Sequence, residues 1–554
     1  MNWKRLALTG CLTAGLLLGP IPVAPAVYAD TTIAIKTYGS GVTAEGVYQD
    51  RGVSLRGTPV FLTVESLDGD TVHLDQTKTD ENGIYRFDWT MAQDFPSGLY
   101  RATVSVQGEQ KSSTFNFVSK KGDGMVSPID TGPYRFTGEL NSGQKQTVLY
   151  DSGTGVQVER RSGMSFVTLN ESRALSAVRG ATTGTTYLTI SVPTTDRYAQ
   201  VTIPAAVIKE VINRFGRSAH LLIAAEAGSY DLPLPAVNET LLNSVLNSNG
   251  GSLQFTIASA EQTDRTAIQT KLQVQKINNP MLMPVQFGVQ ALFGGQSVPL
   301  LDYGNRFVQV SIDLTGAVLS SDQTASALFY HPRDEHLVPS PSKLFRDTVG
   351  HGKLVIKRSG NGIYVPIQDA KSFTDIQYTP QRSKIQELSN RHIINGRTTT
   401  SFAPQGNITR AEFATLMMLS LGLSDKQGTS LFRDVPKNTW FTKPVGIGST
   451  LGLISGHDAW TFAPHSPITR EEIASLMVRC LSFVEQRPYV DTTRILGQVQ
   501  DRNNVSSWAR EDVALAISTG ILDKNISSVE PRRAATRAES ADMLYNLLTY
   551  LKMI

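Results

Sequence analysis

Only two cysteines, Cys11 and Cys480, occur in 554 residues, which excludes a disulfide scaffold and any cysteine-rich zinc site. Charge is sparse too, at 18% of residues against roughly 25% in an average soluble chain. The 52 basic and 49 acidic residues leave a net +3, too little to attract nucleic acid by bulk charge. Past the first thirty residues no apolar run reaches the roughly 18 residues of a spanning helix, so no membrane span is expected. Catalytic signatures are equally scarce, with no G-x-S-x-G elbow and no phosphate-binding glycine loop. His331-Pro332-Arg333-Asp334-Glu335-His336 matches neither zinc-protease spacing, and Pro332 disfavours a helix across the ligands; a polar loop is expected. Asp68-Gly69-Asp70 reads as a hairpin turn rather than a calcium ligand set. The chain is therefore expected to be non-enzymatic, with no metal and no cofactor.

What is present begins with an address. Lys4 and Arg5 precede the uncharged Leu6–Leu18 run, and Val27-Tyr28-Ala29 forms a small-x-small cleavage site, so residues 1–29 read as a secretory signal peptide. Leu8-Thr9-Gly10-Cys11 offers a lipid-anchored alternative, but its apolar run before Cys11 is only Leu6 to Leu8. Residues 30–119 show short alternating runs between turns, such as Val60–Val64, Gly98–Val106 and the turn Asp80–Gly83, which predict a β-sandwich of about seven strands. The order of elements resembles bacterial immunoglobulin-like and macroglobulin-like modules. Lys120–Gly124 reads as a linker. Residues 125–370 are predicted to be a β-dominated α+β region, with helices over Ala205–Phe215 and Val237–Leu246.

The last third carries a repeat. Ile408-Thr409-Arg410-Ala411-Glu412 recurs as Ile468-Thr469-Arg470-Glu471-Glu472 and Ala535-Thr536-Arg537-Ala538-Glu539, the threonines 60 and 67 residues apart. Upstream of each lies an aspartate (Asp375, Asp434, Asp501), then a glycine position (Gly396, Gly456, Asp523), then an F-x-P turn (Phe402, Phe462, Val529 at its head). Thr followed three residues later by Glu is a capping box, placing Thr409, Thr469 and Thr536 as helix caps with Glu412, Glu472 and Glu539 reaching back. Apolar residues then recur at helical spacing, as Ile473, Leu476, Met477, Cys480 and Leu481 do in copy two, predicting one buried stripe per copy. Cys480 lies on it and reads as a small buried hydrophobe. Ser540 interrupts the stripe in copy three. A preceding helix is predicted before each glycine position.

The pattern F-x-D, W-A, G-(I/L)-(I/L)-x-G, F-x-P, I-T-R-A-E resembles S-layer homology domains in their usual set of three, over 372–423, 430–484 and 497–550. That resemblance implies an all-α, pseudo-threefold bundle binding a secondary cell-wall polysaccharide, commonly through a pyruvylated sugar. It also implies a secreted protein at the cell wall or S-layer of a Gram-positive-type bacterium. Arg410, Arg470 and Arg537 sit in the first helical turn, where a cation meets the positive dipole end at a cost of about 0.3–1 kcal/mol. The capping box does not need them, and a guanidinium beside free helix N–H groups suits a carboxylate. Ion pairing of each arginine with an acid of the neighbouring repeat, such as Asp375, Asp434 or Asp501, is the alternative. Trp440 and Trp508 match the family's tryptophan and could stack on sugar or pack in a core; together with Gly456 they complete the candidate site. Copy one has Pro380 and Tyr378 near that tryptophan position, and copy three carries Asp523 and Val529, which leaves one or two competent sites expected, most securely one involving copy two. A wall-anchored polysaccharide-active enzyme with its site in 125–370, where carboxylates are plentiful, is one alternative function. A lattice-forming S-layer subunit is another.

Overall fold

The structure, a computed structural model, describes residues 30–117 and 145–554, apart from 32, 39–40, 51–52, 55, 67–70, 91–97, 108, 195, 278–279, 316, 318–323, 333–334 and 347–351. The expected signal peptide with Cys11, the linker at 120–124, the turn at 68–70 and Arg333-Asp334 lie outside the described residues. The chain divides into two compact units, Met1–Thr131 and Gly132–Ile554.

The first unit is all β. One sheet joins Asp30–Thr31, Ala34–Tyr38, Gly41–Asp50, Val53–Ser54 and Ile84–Thr90; a second joins Pro59–Ser66, Thr71–Lys78, Gly98–Val106 and Glu109–Phe117. Strict alternation sends Val60, Leu62 and Val64 inward while Phe61 faces solvent. Those residues join Val42, Ala44, Tyr85, Phe87, Tyr100 and Val104 in one hydrophobic cluster fed by both sheets. The Asp80–Gly83 turn forms as expected: the Asp80 carboxylate accepts the N–H of Asn82 at 2.8 Å and of Ile84 at 2.9 Å, and Gly83 takes φ 73°.

The second unit opens with two mixed sheets. The seven-stranded one runs Lys145–Leu149, Thr185–Ser191, His220–Ala225, Gly228–Pro233, Val308–Asp313, Gly352–Arg358, Ser342–Arg346. The nine-stranded one centres on Tyr198–Pro204, Ser252–Ser259, Val285–Phe293 and Gly362–Asp369. Both feed one core that includes Ile190, Ile223, Phe255, Phe287 and Ile356. Among the described residues four α-helices accompany them: α1 (Glu171–Arg179), α2 (Ala205–Phe215), α3 (Glu239–Asn247) and α4 (Gln262–Val274). The two predicted helices are α2 and α3; α1 and α4, whose apolar stripes are thin, were not foreseen.

The last third is helical, with α5 (Arg382–Asn390), α6 (Arg410–Ser420), α7 (Thr442–Thr450), α8 (Arg470–Val484), α9 (Thr492–Gly497), α10 (Arg510–Thr519) and α11 (Arg537–Tyr550). All three capping boxes form on α6, α8 and α11. Their stripes, including Phe413, Met417, Ile473, Met477, Cys480, Leu544 and Leu548, enter one shared core. Burial pushes the Cys480 thiol pKa well up, so it stays protonated and packs as the sequence suggested. Ser540, fully buried, turns its hydroxyl back to the Thr536 carbonyl at 2.9 Å, which satisfies it without interrupting the helix.

The three copies are stitched through backbone. The N–H of Ile408 donates to Ala535 O, that of Ala535 to Ile468 O, and that of Ile468 to Ile408 O, at 3.2, 2.9 and 3.1 Å, a closed ring of three bonds. The helical part also grips the sheets. Arg358, 1% exposed, pairs with Asp425 and lies 3.7 Å above the Phe329 ring. Lys426 reaches Asp302 and the Ser359 carbonyl, and Lys357 donates to Leu551 O at 3.1 Å.

Candidate functional site

Each F-x-P turn is held by the aspartate upstream of it. Asp375 accepts the N–H groups of Phe402 and Ala403, both at 2.8 Å, and the Ser401 hydroxyl at 2.6 Å. Asp434 takes Phe462 and Ala463, and Asp501 takes Val529 and Glu530, all within 2.9 Å. The middle residue of each turn, Ala403, Ala463 or Glu530, sits at φ between 50° and 59°, a left-handed conformation costly for a side-chain-bearing residue. The carboxylate offsets that cost. Burial alone would raise the pKa of Asp375 and Asp501, but these hydrogen bonds hold both below the ordinary carboxylate value. The three aspartates are thus engaged with turns of their own copy, and the ion pairs the arginines form are with other acids.

The glycine position explains itself by space. A Cβ on Gly456 would lie 2.4 Å from Thr461 O and 2.6 Å from the Phe432 ring; on Gly396 it would meet Thr398 O at 2.4 Å and Phe373 at 2.5 Å. In copy three the ring is absent, since Val499 stands where Phe373 and Phe432 stand, and Asp523 accepts Asn525 N–H at 2.9 Å. The two departures of copy three therefore belong together.

The helix entrances are not open. The N–H of Arg410 donates to Ser466 O and that of Ala411 to Pro464 O, both at 3.0 Å; Glu412 N–H is capped by Thr409 at 3.2 Å. Arg470 and Glu471 donate in the same way to Arg533 O and Pro531 O, and Arg537 and Ala538 to Gly406 O and Pro404 O. Copy one leans on the turn of copy two, copy two on copy three, and copy three on copy one. This corrects the expectation that free helix N–H groups stand ready for a carboxylate: the next copy's turn already occupies them.

The arginine side chains follow the same rotation. Arg410, 6% exposed, donates to Phe462 O at 2.8 Å, Ser455 O at 3.0 Å and Glu472 at 2.8 Å. Arg470, 8% exposed, donates to Val529 O and to Glu539, both at 2.6 Å. Arg537 is half-buried and donates to Phe402 O at 2.9 Å and Asn395 O at 2.7 Å. Arg410 and Arg537 ride on the rings of Phe462 and Phe402, at 5.0 and 4.6 Å; Val529 denies Arg470 such a ring. The partners are capping-box glutamates, which the sequence did not single out for this role.

One seam differs. The glutamate equivalent to Glu472 and Glu539 is Glu412, and Glu412 is paired to Arg397 instead. Among the described residues Arg537 has no carboxylate within ion-pair distance, and burial first, then neighbouring Arg397, lower its pKa. The hollow beside it, lined by Asn395, Phe402 and Arg537, is about 20 Å³, room for roughly one water; anything larger must lie outside it.

The aromatics are on the surface. Trp440 is 60% and Trp508 56% exposed, and Tyr378 of copy one 93%, so core packing does not account for them. Trp460, which no repeat landmark marks, is also exposed, with Arg433 4.7 Å from its ring.

Comparison with known proteins bears on the first two copies. The S-layer homology domain family matches residues 372–414 and 431–474. The chain is 30% identical over 205 residues to an exoglucanase, XynX, of Acetivibrio thermocellus, covering 37% of this chain and 18% of that one. It is 32% identical over 186 residues to an amylopullulanase of Thermoanaerobacterium thermosulfurigenes, covering 33% and 10%. It is 25% identical over 183 residues to a surface-layer 125 kDa protein of Lysinibacillus sphaericus, covering 32% and 15%. The chain thus spans less than a fifth of the length of each of these relatives. With these likenesses, it is a surface protein carrying S-layer homology domains, located at the cell wall or S-layer of a Gram-positive-type bacterium.

Proposed function

We propose that residues 372–423, 430–484 and 497–550 act as three S-layer homology repeats, closed into a pseudo-threefold bundle, that hold the protein non-covalently on an acidic, pyruvylated secondary cell-wall polysaccharide. The closed backbone ring and the three equivalent capping boxes support counting the third copy with the two matched ones. In this reading residues 30–119 are an immunoglobulin-like sandwich displayed outward, residues 125–370 are a β-rich platform, and the protein is not an enzyme.

The observation that carries the acidic ligand is Arg537, the repeat arginine that the neighbouring copy leaves without a carboxylate. A ketal-linked pyruvate supplies one, and the exposed Trp440, Trp508 and Tyr378 offer flat faces for sugar rings. The test is retention of the protein on purified walls. The double variant Arg537→Ala, Arg397→Ala should lower retention at least about tenfold, as should removal of pyruvate from the walls. Retention unchanged by both treatments, with helical circular dichroism intact, sinks the reading.

A further inference from the structure

Where the end of α8 meets the sheets, a cleft of about 460 Å³ opens, lined among others by His220, Asn305, Arg306, Phe307, Phe483 and Glu485. That size lies within the usual range for small-ligand sites. The sheet register positions His220, the ring on its wall, from behind. Tyr187 and His220 are direct partners on neighbouring parallel strands, and Asp231 lies diagonally across the next pair. The Tyr187 and His220 rings stack with centroids 4.4 Å apart. His220 Nδ1 lies 2.8 Å from Asp231 Oδ1, with side chains 25% and 13% exposed. A carboxylate only accepts, so Nδ1 carries the proton, and in the neutral ring Nε2 is left as an acceptor.

Arg306 is exposed and has no ion-pair partner among the described residues, while Glu485, exposed in the same cleft, lies close enough to the buried Lys357 to oppose the lowering of its pKa by burial. Phe307 and Phe483, edge to face at 6.2 Å, supply an apolar surface where the two parts of the unit meet. The cleft takes the far end of α8 from Arg470, and none of its lining residues belongs to a helix-entrance seam.

We propose that this cleft is a second saccharide site, one that takes an acidic sugar unit. Its demands match that chemistry. A ring hydroxyl donates to His220 Nε2 and others to Glu485, the apolar C–H face of the sugar lies against Phe307 and Phe483, and its carboxylate meets the fork of Arg306. A purely apolar ligand would leave the Arg306 guanidinium without a partner in the cleft, and a ligand of several negative charges would meet more repulsion from Glu485 than a single carboxylate does.

The experiment is calorimetric titration of the full chain with a disaccharide containing glucuronic acid, alongside the same disaccharide after reduction of its carboxyl. The acid form should bind at least tenfold tighter than the reduced form. Arg306→Ala, at an exposed position, should abolish that difference, and His220→Gln should weaken both forms. Arg537→Ala should change neither, which separates this site from the wall anchor. No binding of the acid form at millimolar concentration, equal binding of both forms, or wild-type binding by Arg306→Ala overturns the proposal.

Discussion

Arg410 and Arg537 occupy equivalent places, touch equivalent carbonyls and ride on equivalent phenylalanine rings, yet one faces a carboxylate and the other does not. The difference lies in how the glutamates are shared: Glu412 pairs with Arg397 and not with Arg537, whereas Glu539 pairs with both Arg533 and Arg470. The repeat arginine is therefore first an architectural group, reading the turn of the next copy. Its availability to a ligand is decided locally, by whether the next copy's glutamate reaches it. Three identical motifs need not be three identical sites.

The largest test of how far the copies differ is Gly456→Asp, which imposes copy three's residue on copy two. The Cβ would press on Thr461 O and the Phe432 ring, and unfolding in denaturant should show a loss of about 3 kcal/mol. Adding Phe432→Val should recover part of it, because Val499 accompanies Asp523 in copy three; an additive double variant would break that link.

Next comes the pair Glu472→Ala and Glu412→Ala. Both remove the reach-back half of a capping box, but only the first strands a buried guanidinium, that of Arg410. Glu472→Ala should cost about 3 kcal/mol and Glu412→Ala about 1 kcal/mol, measured by the same denaturation. Equal losses would mean that the two seams do not differ in charge pairing.

On the scale of Glu412→Ala, Thr409→Ala, Thr469→Ala and Thr536→Ala should each cost about 1 kcal/mol, with no copy standing out. A pH series sharpens the comparison last. Asp375, Asp501, Glu412 and Glu539 have folded pKa values below their ordinary ones. Their stabilisation is fully present above about pH 4.5 and is lost as pH falls through the lower folded values. Thermal melting should therefore drop steadily below about pH 4, and Asp375→Asn should flatten that dependence.

Much of the helical region was legible because its signals are local. A threonine cap, a glutamate three residues on and a stripe at helical spacing declare themselves within about fifteen residues, and α6, α8 and α11 begin where Thr409, Thr469 and Thr536 said they would. The partners of the arginines were not legible, because they lie one copy away: Arg410 to Glu472 and Arg470 to Glu539 span 62 and 69 residues. The aspartates misled for a related reason. A conspicuous carboxylate suggests an ionic partner, while Asp434 serves backbone N–H groups. The β-rich region was harder still. Val285–Phe293 pairs with Gly362–Asp369, and no motif in either strand names the other. The grip of Arg358 on Asp425 had no sequence signature at all.

The direction in which the copies lean has a consequence for how the protein is made. The turn carrying Pro404 and Gly406 is among the first pieces of the helical region to be synthesised, and its carbonyls are answered by Ala538 and Arg537. Arg537 also binds Phe402 O, 135 positions back along the chain. Copy one alone leaves these carbonyls unanswered and needs α11 to complete its seam. A chain cut anywhere before Arg537 would therefore leave the circle open.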